Sequence, residues 1–297
     1  MRGAKRMQGP GRLAGFLLLA LLLASCRMPP SPSSSAISPS PGPSFVVYYG
    51  ERPRPDALAR FDWAIVPDDA PIPPKGKTLY FAYLSVGEID TGSPIARALA
   101  ALPGGVESVS LGKNAFWHST VADPRKEALR QVLLARVVRD VTRGFGGLFL
   151  DTLDSPLAYR EAHPHRGRGI RRALVSLVAL IHASYPGLRI VANRGFGILP
   201  EIAPDLAGLL YEDFCSRYDE TTRRYVTVPD AERERLLSEI RRARRRNPSL
   251  VLLALDYDDP AHPLFRSRCR SLARSLGFSH FDSDVALDRI GRPEADR

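Results

Sequence analysis

Short apolar runs rich in Val, Ile, Leu and aromatics recur along the chain and alternate with stretches whose apolar residues fall at helical spacing. That order predicts parallel strands joined by helical crossovers. Eight strands are expected, at Phe45–Tyr49, Trp63–Val66, Thr78–Val86, Gly147–Leu150, Arg189–Ala192, Gly208–Tyr211, Leu250–Leu255 and Ser279–Phe281. The unbroken run Leu250-Val251-Leu252-Leu253-Ala254-Leu255 suits a strand buried on both faces. Helices are expected at Arg125–Arg143, Gly169–Ser184, Asp230–Arg246 and Leu264–Leu276. In the first, Leu129, Val132, Leu133, Val137 and Val141 form one stripe, Asp123-Pro124 supplies the start and Gly144 the stop. Eight such strands close most simply into a single α/β domain, a (β/α)8 TIM-type barrel. One link fits poorly. The segment from Pro67 to Lys77 is rich in proline and has no helical pattern, whereas a parallel crossover usually takes a dozen residues or more. Either that connection is spare or the second strand is misplaced.

The first stretch is a targeting segment. Arg2, Lys5, Arg6 and Arg12 precede the apolar run Leu13–Leu23, which is shorter than the roughly 20 residues of a membrane span and fits a secretory signal. The run ends in Leu23-Ala24-Ser25-Cys26, which resembles a bacterial lipobox. Residues 1–25 are therefore expected to be a lipoprotein signal peptide and Cys26 the lipidated residue, holding an exported protein at a membrane on its periplasmic or cell-surface face. Residues 26–44 are Pro/Ser-rich and form an extended tether. Residues 45–290 remain for the barrel, a usual length for this architecture.

The formal net charge is +10, and four of the positive charges lie in the leader. Much of the rest sits in Arg241, Arg242, Arg244, Arg245 and Arg246, a solvated helix face near an anionic surface. Export argues against nucleic acid as a partner. Beyond Cys26 only Cys215 and Cys269 remain, and without a close-spaced His they are not a zinc pattern. Export permits a disulfide, and two separate buried thiols fit the sequence equally well.

Acidic or amide residues follow most strands: Glu88, Asp151 and Asp154, Asn193, Glu212 and Asp213, Asp256 with Asp258 and Asp259, and Asp282 with Asp284. Barrel enzymes place their sites at these strand ends. Any one of these acids is explained as the cap of the next helix, but the whole set is not. Several carboxylates in one cleft suit glycoside cleavage, with a protonated acid beside the leaving oxygen and an ionised partner across the ring. Metal-dependent hydrolysis usually recruits His as well, and His163-Pro164-His165, the one close pair, lies in a loop. No metal and no cofactor is therefore expected. His118 and His280 are expected to be structural or at the substrate edge. Of the aromatics beside the acids, Tyr49 and Trp117 are the expected exposed sugar platforms.

The segments Tyr48-Tyr49-Gly50, Ala82 to Glu88 (AYLSVGE), Gly144 to Asp154 (GFGGLFLDTLD), Asn193-Arg194-Gly195-Phe196, Tyr211-Glu212 and Leu255-Asp256-Tyr257 occur in the order seen in glycoside hydrolase family 114, the endo-α-1,4-polygalactosaminidases. The resemblance covers roughly Phe45 to Asp284, and the run around Leu150-Asp151-Thr152-Leu153-Asp154 is its most specific part. It implies a (β/α)8 barrel that cleaves polymers of α-1,4-linked galactosamine and N-acetylgalactosamine. It also implies Asp151 as nucleophile or ion stabiliser and Glu212 as general acid/base. Tyr83, Glu88, Asp154, Asn193, Asp256 and Tyr257 would line the subsites with Tyr49 and Trp117. A partly deacetylated polymer is cationic, so an acidic cleft is its electrostatic partner. The chain departs from the family's pattern at Asp213, where a small polar residue is expected after the glutamate. The competing classes are a polysaccharide-binding barrel without turnover and a metal-dependent hydrolase. The sequence leaves open the stereochemistry, the acetylation pattern and the oligomeric state.

Overall fold

The computed structural model describes residues 42–51, 54–71, 76–259 and 261–291. The expected leader, Cys26 and nearly all of the expected tether lie outside the described residues. All eight expected strands are present. They are β1 (Phe45–Val47), β2 (Trp63–Val66), β3 (Leu79–Ser85), β4 (Gly147–Asp151), β5 (Arg189–Asn193), β6 (Gly208–Glu212), β7 (Val251–Tyr257) and β8 (Ser279–Ser283). They pair in chain order, and every pairing is parallel. The first and last strands meet, with the Phe45 and Phe281 rings 5.8 Å apart. The fold is a (β/α)8 barrel. Its strands are nearly all buried, because side chains alternate between the barrel interior and the helical layer and both are apolar.

Glu127–Thr142 links β3 to β4, Asp154–Ala162 and Ile170–Ser184 link β4 to β5, Asp230–Arg246 links β6 to β7, and Arg266–Ser275 links β7 to β8. The link between β5 and β6 is short, a four-residue helix Leu199–Ile202 and a 3-10 turn. Among the described residues of the β2–β3 link there is no helix, and β2 pairs with β3 in register from Trp63↔Leu79. The second strand is in place and the connection is the spare one. The start of the first long helix differs from expectation. Asp123 does not cap it, because its carboxylate accepts from the backbone N–H and side chain of Arg125 and so shapes the preceding turn.

Two small antiparallel sheets were not anticipated. Glu88–Asp90, Ser119–Ala122 and Ser110–Asn114 form a three-stranded flap after β3, and Ser216–Asp219 pairs with Arg224–Thr227 after β6. Cys215 and Cys269 are joined as a disulfide with Cα atoms 5.4 Å apart. It ties the end of β6 to the helix Arg266–Ser275. The alternative of two separate thiols does not hold.

Candidate active site

Strands β4, β5 and β6 end in Asp151, Asn193 and Glu212. Because side chains alternate along a strand, these three point into the mouth of the barrel while Leu150, Ala192 and Tyr211 point outward into the core. The residue after each, Thr152, Arg194 and Asp213, has a left-handed backbone with φ of 63°, 55° and 58°. Such conformations are costly for residues with a β-carbon and persist only where the surroundings enforce them. At Thr152 the enforcement is visible. Its Oγ1 accepts from the N–H groups of Gly87 and Glu88 at 2.9 and 3.1 Å. A β-carbon on Gly87 would stand 2.0 Å from the Thr152 carbonyl, so only glycine permits this approach.

The side-chain amide of Asn193 lies between the two acids. Its Nδ2 donates to Asp151 Oδ1 at 2.8 Å and to Glu212 Oε2 at 2.6 Å. One nitrogen bonded to both places their nearest oxygens within about 5.4 Å of each other. The other oxygens accept from tyrosines. Tyr83 Oη donates to Asp151 Oδ2 at 2.8 Å, and Tyr257 Oη to Glu212 Oε1 at 2.5 Å. Asn193 and Tyr83 both donate to Asp151, which suits its ionised form. Burial and the neighbouring Glu212 nevertheless push Asp151 up to about 6, while the bonds from Asn193 and Tyr83 pull it down. Burial beside these acids also raises the Tyr49, Tyr83 and Tyr257 phenols, so all three stay protonated donors. Asn193 Oδ1 is buried and has no partner among the described residues.

These groups line a cavity of about 410 Å³, within the range of ligand sites. Tyr49, Tyr83, Glu88, Trp117, Asp154, Asn193 and Tyr257 all reach it with the acid pair. Tyr49 forms its wall, edge-on to Tyr83 at 5.2 Å. Trp117 stands at the flap tip, 59% exposed and edge-on to the 56% exposed Phe116. Glu88 is buried beneath the flap. It accepts from Asn114 at 3.0 Å and from Ser119 and Ser155, so it fastens the flap to the helix Asp154–Ala162. Asp154 pairs with Arg194 at 3.2 Å, and Arg194 also donates to the Glu212 carbonyl at 2.9 Å.

Asp256 lies elsewhere. It is 1% exposed, accepts from the backbone N–H groups of Cys215 and Ser216 at 2.6 and 2.9 Å, and meets His280 Nε2 at 3.0 Å. Its neighbour Tyr257 takes the cavity-facing position, and the strand's period of two turns Asp256 the other way. Asp256 thus shapes the β6 turn and does not line the cavity. Of two other strand-end acids, one follows the capping explanation and one forms ion pairs. Asp258 accepts from Phe265 and Arg266 N–H at the start of their helix, and Asp282 pairs with Arg266 and Arg270. Asp213 sits behind Glu212, where burial and Glu212 raise it to about 7. Asp90, Ser155 and Arg194 line the cavity without having been assigned to it. Arg194 was legible as part of Asn193-Arg194-Gly195, whereas Asp90 and Ser155 carry no signal of their own. Among the described residues, the grouping of metal-ligating side chains is Cys215, Asp256 and Cys269, whose two cysteines are bonded to each other.

The chain matches the family model described as glycoside-hydrolase family GH114 over residues 46–295. It is 34% identical to the glycoside hydrolase domain of PelA from Pseudomonas aeruginosa, with a TM-score of 0.68 and coverage of 84% of this chain and 98% of that one. A variant of that domain gives 35% identity, a TM-score of 0.71 and the same coverage. Ega3 from Aspergillus fumigatus, solved in complex with galactosamine, is 13% identical with a TM-score of 0.59 over 84% of this chain and 94% of that one, a likeness of fold. No curated protein matches the chain.

Proposed function

We propose that the chain, which belongs to glycoside hydrolase family GH114 and is a glycoside hydrolase, cleaves α-1,4-linked galactosamine and N-acetylgalactosamine polymer internally with the pair Asp151 and Glu212. One observation carries the reading: both acids face one cavity and share the amide of Asn193. Asp151 attacks the anomeric carbon as nucleophile, or stabilises the ion formed there. The bond to the leaving oxygen breaks as Glu212 delivers a proton to that oxygen. Glu212 then takes a proton from water, which attacks the same carbon and frees Asp151. The spacing set by the shared amide supports net retention, since inverting pairs stand about 6.5–9.5 Å apart to admit a water. Glu88, Asp90 and Asp154 add negative charge around the pair, which suits a protonated amino sugar. Ega3, of the same barrel fold, was solved with galactosamine.

Export as a lipoprotein through Cys26, with residues 26–44 as tether, belongs to the same reading. The Cys215–Cys269 disulfide supports it, because such bonds persist in oxidising compartments. The test is proton NMR of the first products from an α-1,4-galactosamine oligosaccharide. The expected result is cleavage with α-configured new reducing ends. Products born in the β form would overturn the retaining assignment, and no cleavage of this polymer class would overturn the substrate.

A further inference from the structure

A second cavity, of about 560 Å³, adjoins the first and shares Asp154 and Arg194 with it. Its origin is topological. Where β5 joins β6 the helical layer holds only the four-residue helix Leu199–Ile202. The helices Asp154–Ala162 and Asp230–Arg246 line the gap, with Arg171 from the start of Ile170–Ser184, and it becomes a groove running from the rim of the catalytic cavity along the barrel wall. Arg171 closes its floor by donating to the Gly197 carbonyl and to Glu201. Arg242 pairs with Glu239 at 3.1 Å. Arg235, Arg246 and Glu161 face the groove and make no side-chain bond among the described residues.

The two cavities differ in charge. The catalytic one holds five carboxylates, on Glu88, Asp90, Asp151, Asp154 and Glu212, against the single cation Arg194. In the groove, acids and arginines are nearly balanced, and several have free hydrogen-bonding capacity. With five arginines set against Asp154, Glu161, Glu201 and Glu239, the groove lacks the acidic excess of the catalytic cavity and holds a protonated amine less well. Planar guanidinium and carboxylate groups that are not fully paired suit the hydroxyl and acetamido groups of a neutral sugar. Pro200, Phe196 and Leu157 supply apolar surface beside them.

We infer that this groove binds an uncharged, N-acetylated segment of the polymer whose cleavage site lies in the catalytic cavity, with the Arg194–Asp154 pair marking the passage between them. The inference rests on the proposed substrate class. The groove would anchor the hydrolase on long chains and direct the acidic cavity to a deacetylated stretch next to an acetylated one.

The experiment is isothermal titration of the full chain in detergent with a fully N-acetylated α-1,4-galactosamine hexamer, carried out for the wild type, Arg235→Ala/Glu161→Ala and Arg246→Ala. Both altered proteins change exposed residues and leave the acid pair intact. Cleavage of a short deacetylated oligosaccharide is followed alongside. The expected result is an affinity at least fivefold weaker for the double variant, with short-oligosaccharide cleavage unchanged. Equal affinity in all three proteins would overturn the groove. If neither the hexamer nor the deacetylated oligosaccharide binds the wild type, the substrate class itself has failed. If the deacetylated one is cleaved but the acetylated hexamer does not bind, the groove alone has failed.

Discussion

Replacing Asn193 with alanine removes one amide and two hydrogen bonds, at 2.8 Å to Asp151 and 2.6 Å to Glu212. Two like charges about 5 Å apart repel by roughly 3 kcal/mol at an effective dielectric of 20. The amide offsets part of that. A hydrogen bond to a charged group contributes about 1.5–3 kcal/mol net, and one pH unit of titration corresponds to about 1.4 kcal/mol. Burial and Glu212 already raise Asp151 to about 6, and the bond from Asn193 helps hold it down. Without the bond its ionisation moves to higher pH, by about one to two units on those magnitudes. In the proposed mechanism Asp151 works ionised, so the acidic limb of the kcat/KM profile is expected to move up by the same amount. At pH 5.5 the variant is expected to lose roughly ten- to a hundredfold more activity, relative to wild type, than it loses above pH 8. The assay is release of reducing ends from the galactosamine polymer between pH 4 and 9, with thermal melting as the check on folding. A uniform loss at every pH, with the acidic limb unmoved, would refute this account of the amide. A limb displaced to lower pH would refute it more strongly.

Two further outcomes concern the scaffold. The Cys215–Cys269 bond spans 54 residues. In the chain-entropy model its removal costs about 4 kcal/mol, so Cys215→Ser/Cys269→Ser should lower the denaturant midpoint while leaving the pH profile of cleavage unchanged. A midpoint equal to wild type would contradict a formed bond. Asp140 is fully buried in the helix behind β4, and burial raises it to about 6 against the pull of three arginines. A carboxyl raised on folding binds its proton more tightly in the folded state, so stability is lost as pH rises from about 4 to 6. Asp140→Asn should therefore raise the melting temperature at pH 8, by up to roughly 3 kcal/mol in stability, with little effect at pH 4. A destabilised variant at pH 8 would show that the arginines need the charge.

The barrel is legible in the sequence because its strands are buried on both faces and stand out as unbroken apolar runs, as in Leu252-Leu253-Ala254-Leu255. The central acids are legible for a related reason: a polar residue closing such a run has to face something polar. That logic stops at one residue's precision. Asp256 and Tyr257 are neighbours on β7, and only the strand's parity assigns the cavity to the tyrosine and the β6 turn to the aspartate. The flap was illegible. Ser110–Asn114 has a single large apolar side chain and a bulge next to Gly112, and its strands are held by pairing to one another and by the buried Glu88. The groove was equally hidden, since it follows from the shortness of the β5–β6 crossover helix beside the longer Asp154–Ala162 and Asp230–Arg246. Trp117 was expected as an exposed platform and is found exposed at the cavity mouth. Tyr49 forms the wall instead.

The proposed function requires Asp151 and Glu212 together to cleave an α-1,4-linked galactosamine polymer. Its most direct test is the mass distribution of products released from that polymer, partly deacetylated, by the wild type, Asp151→Asn and Glu212→Gln. A ladder of internal-cleavage oligosaccharides is expected from the wild type. Both variants should fall by about three orders of magnitude or more while still binding the polymer. Wild-type release matched by either variant would contradict the claim, as would a wild type that binds the polymer and never cuts it.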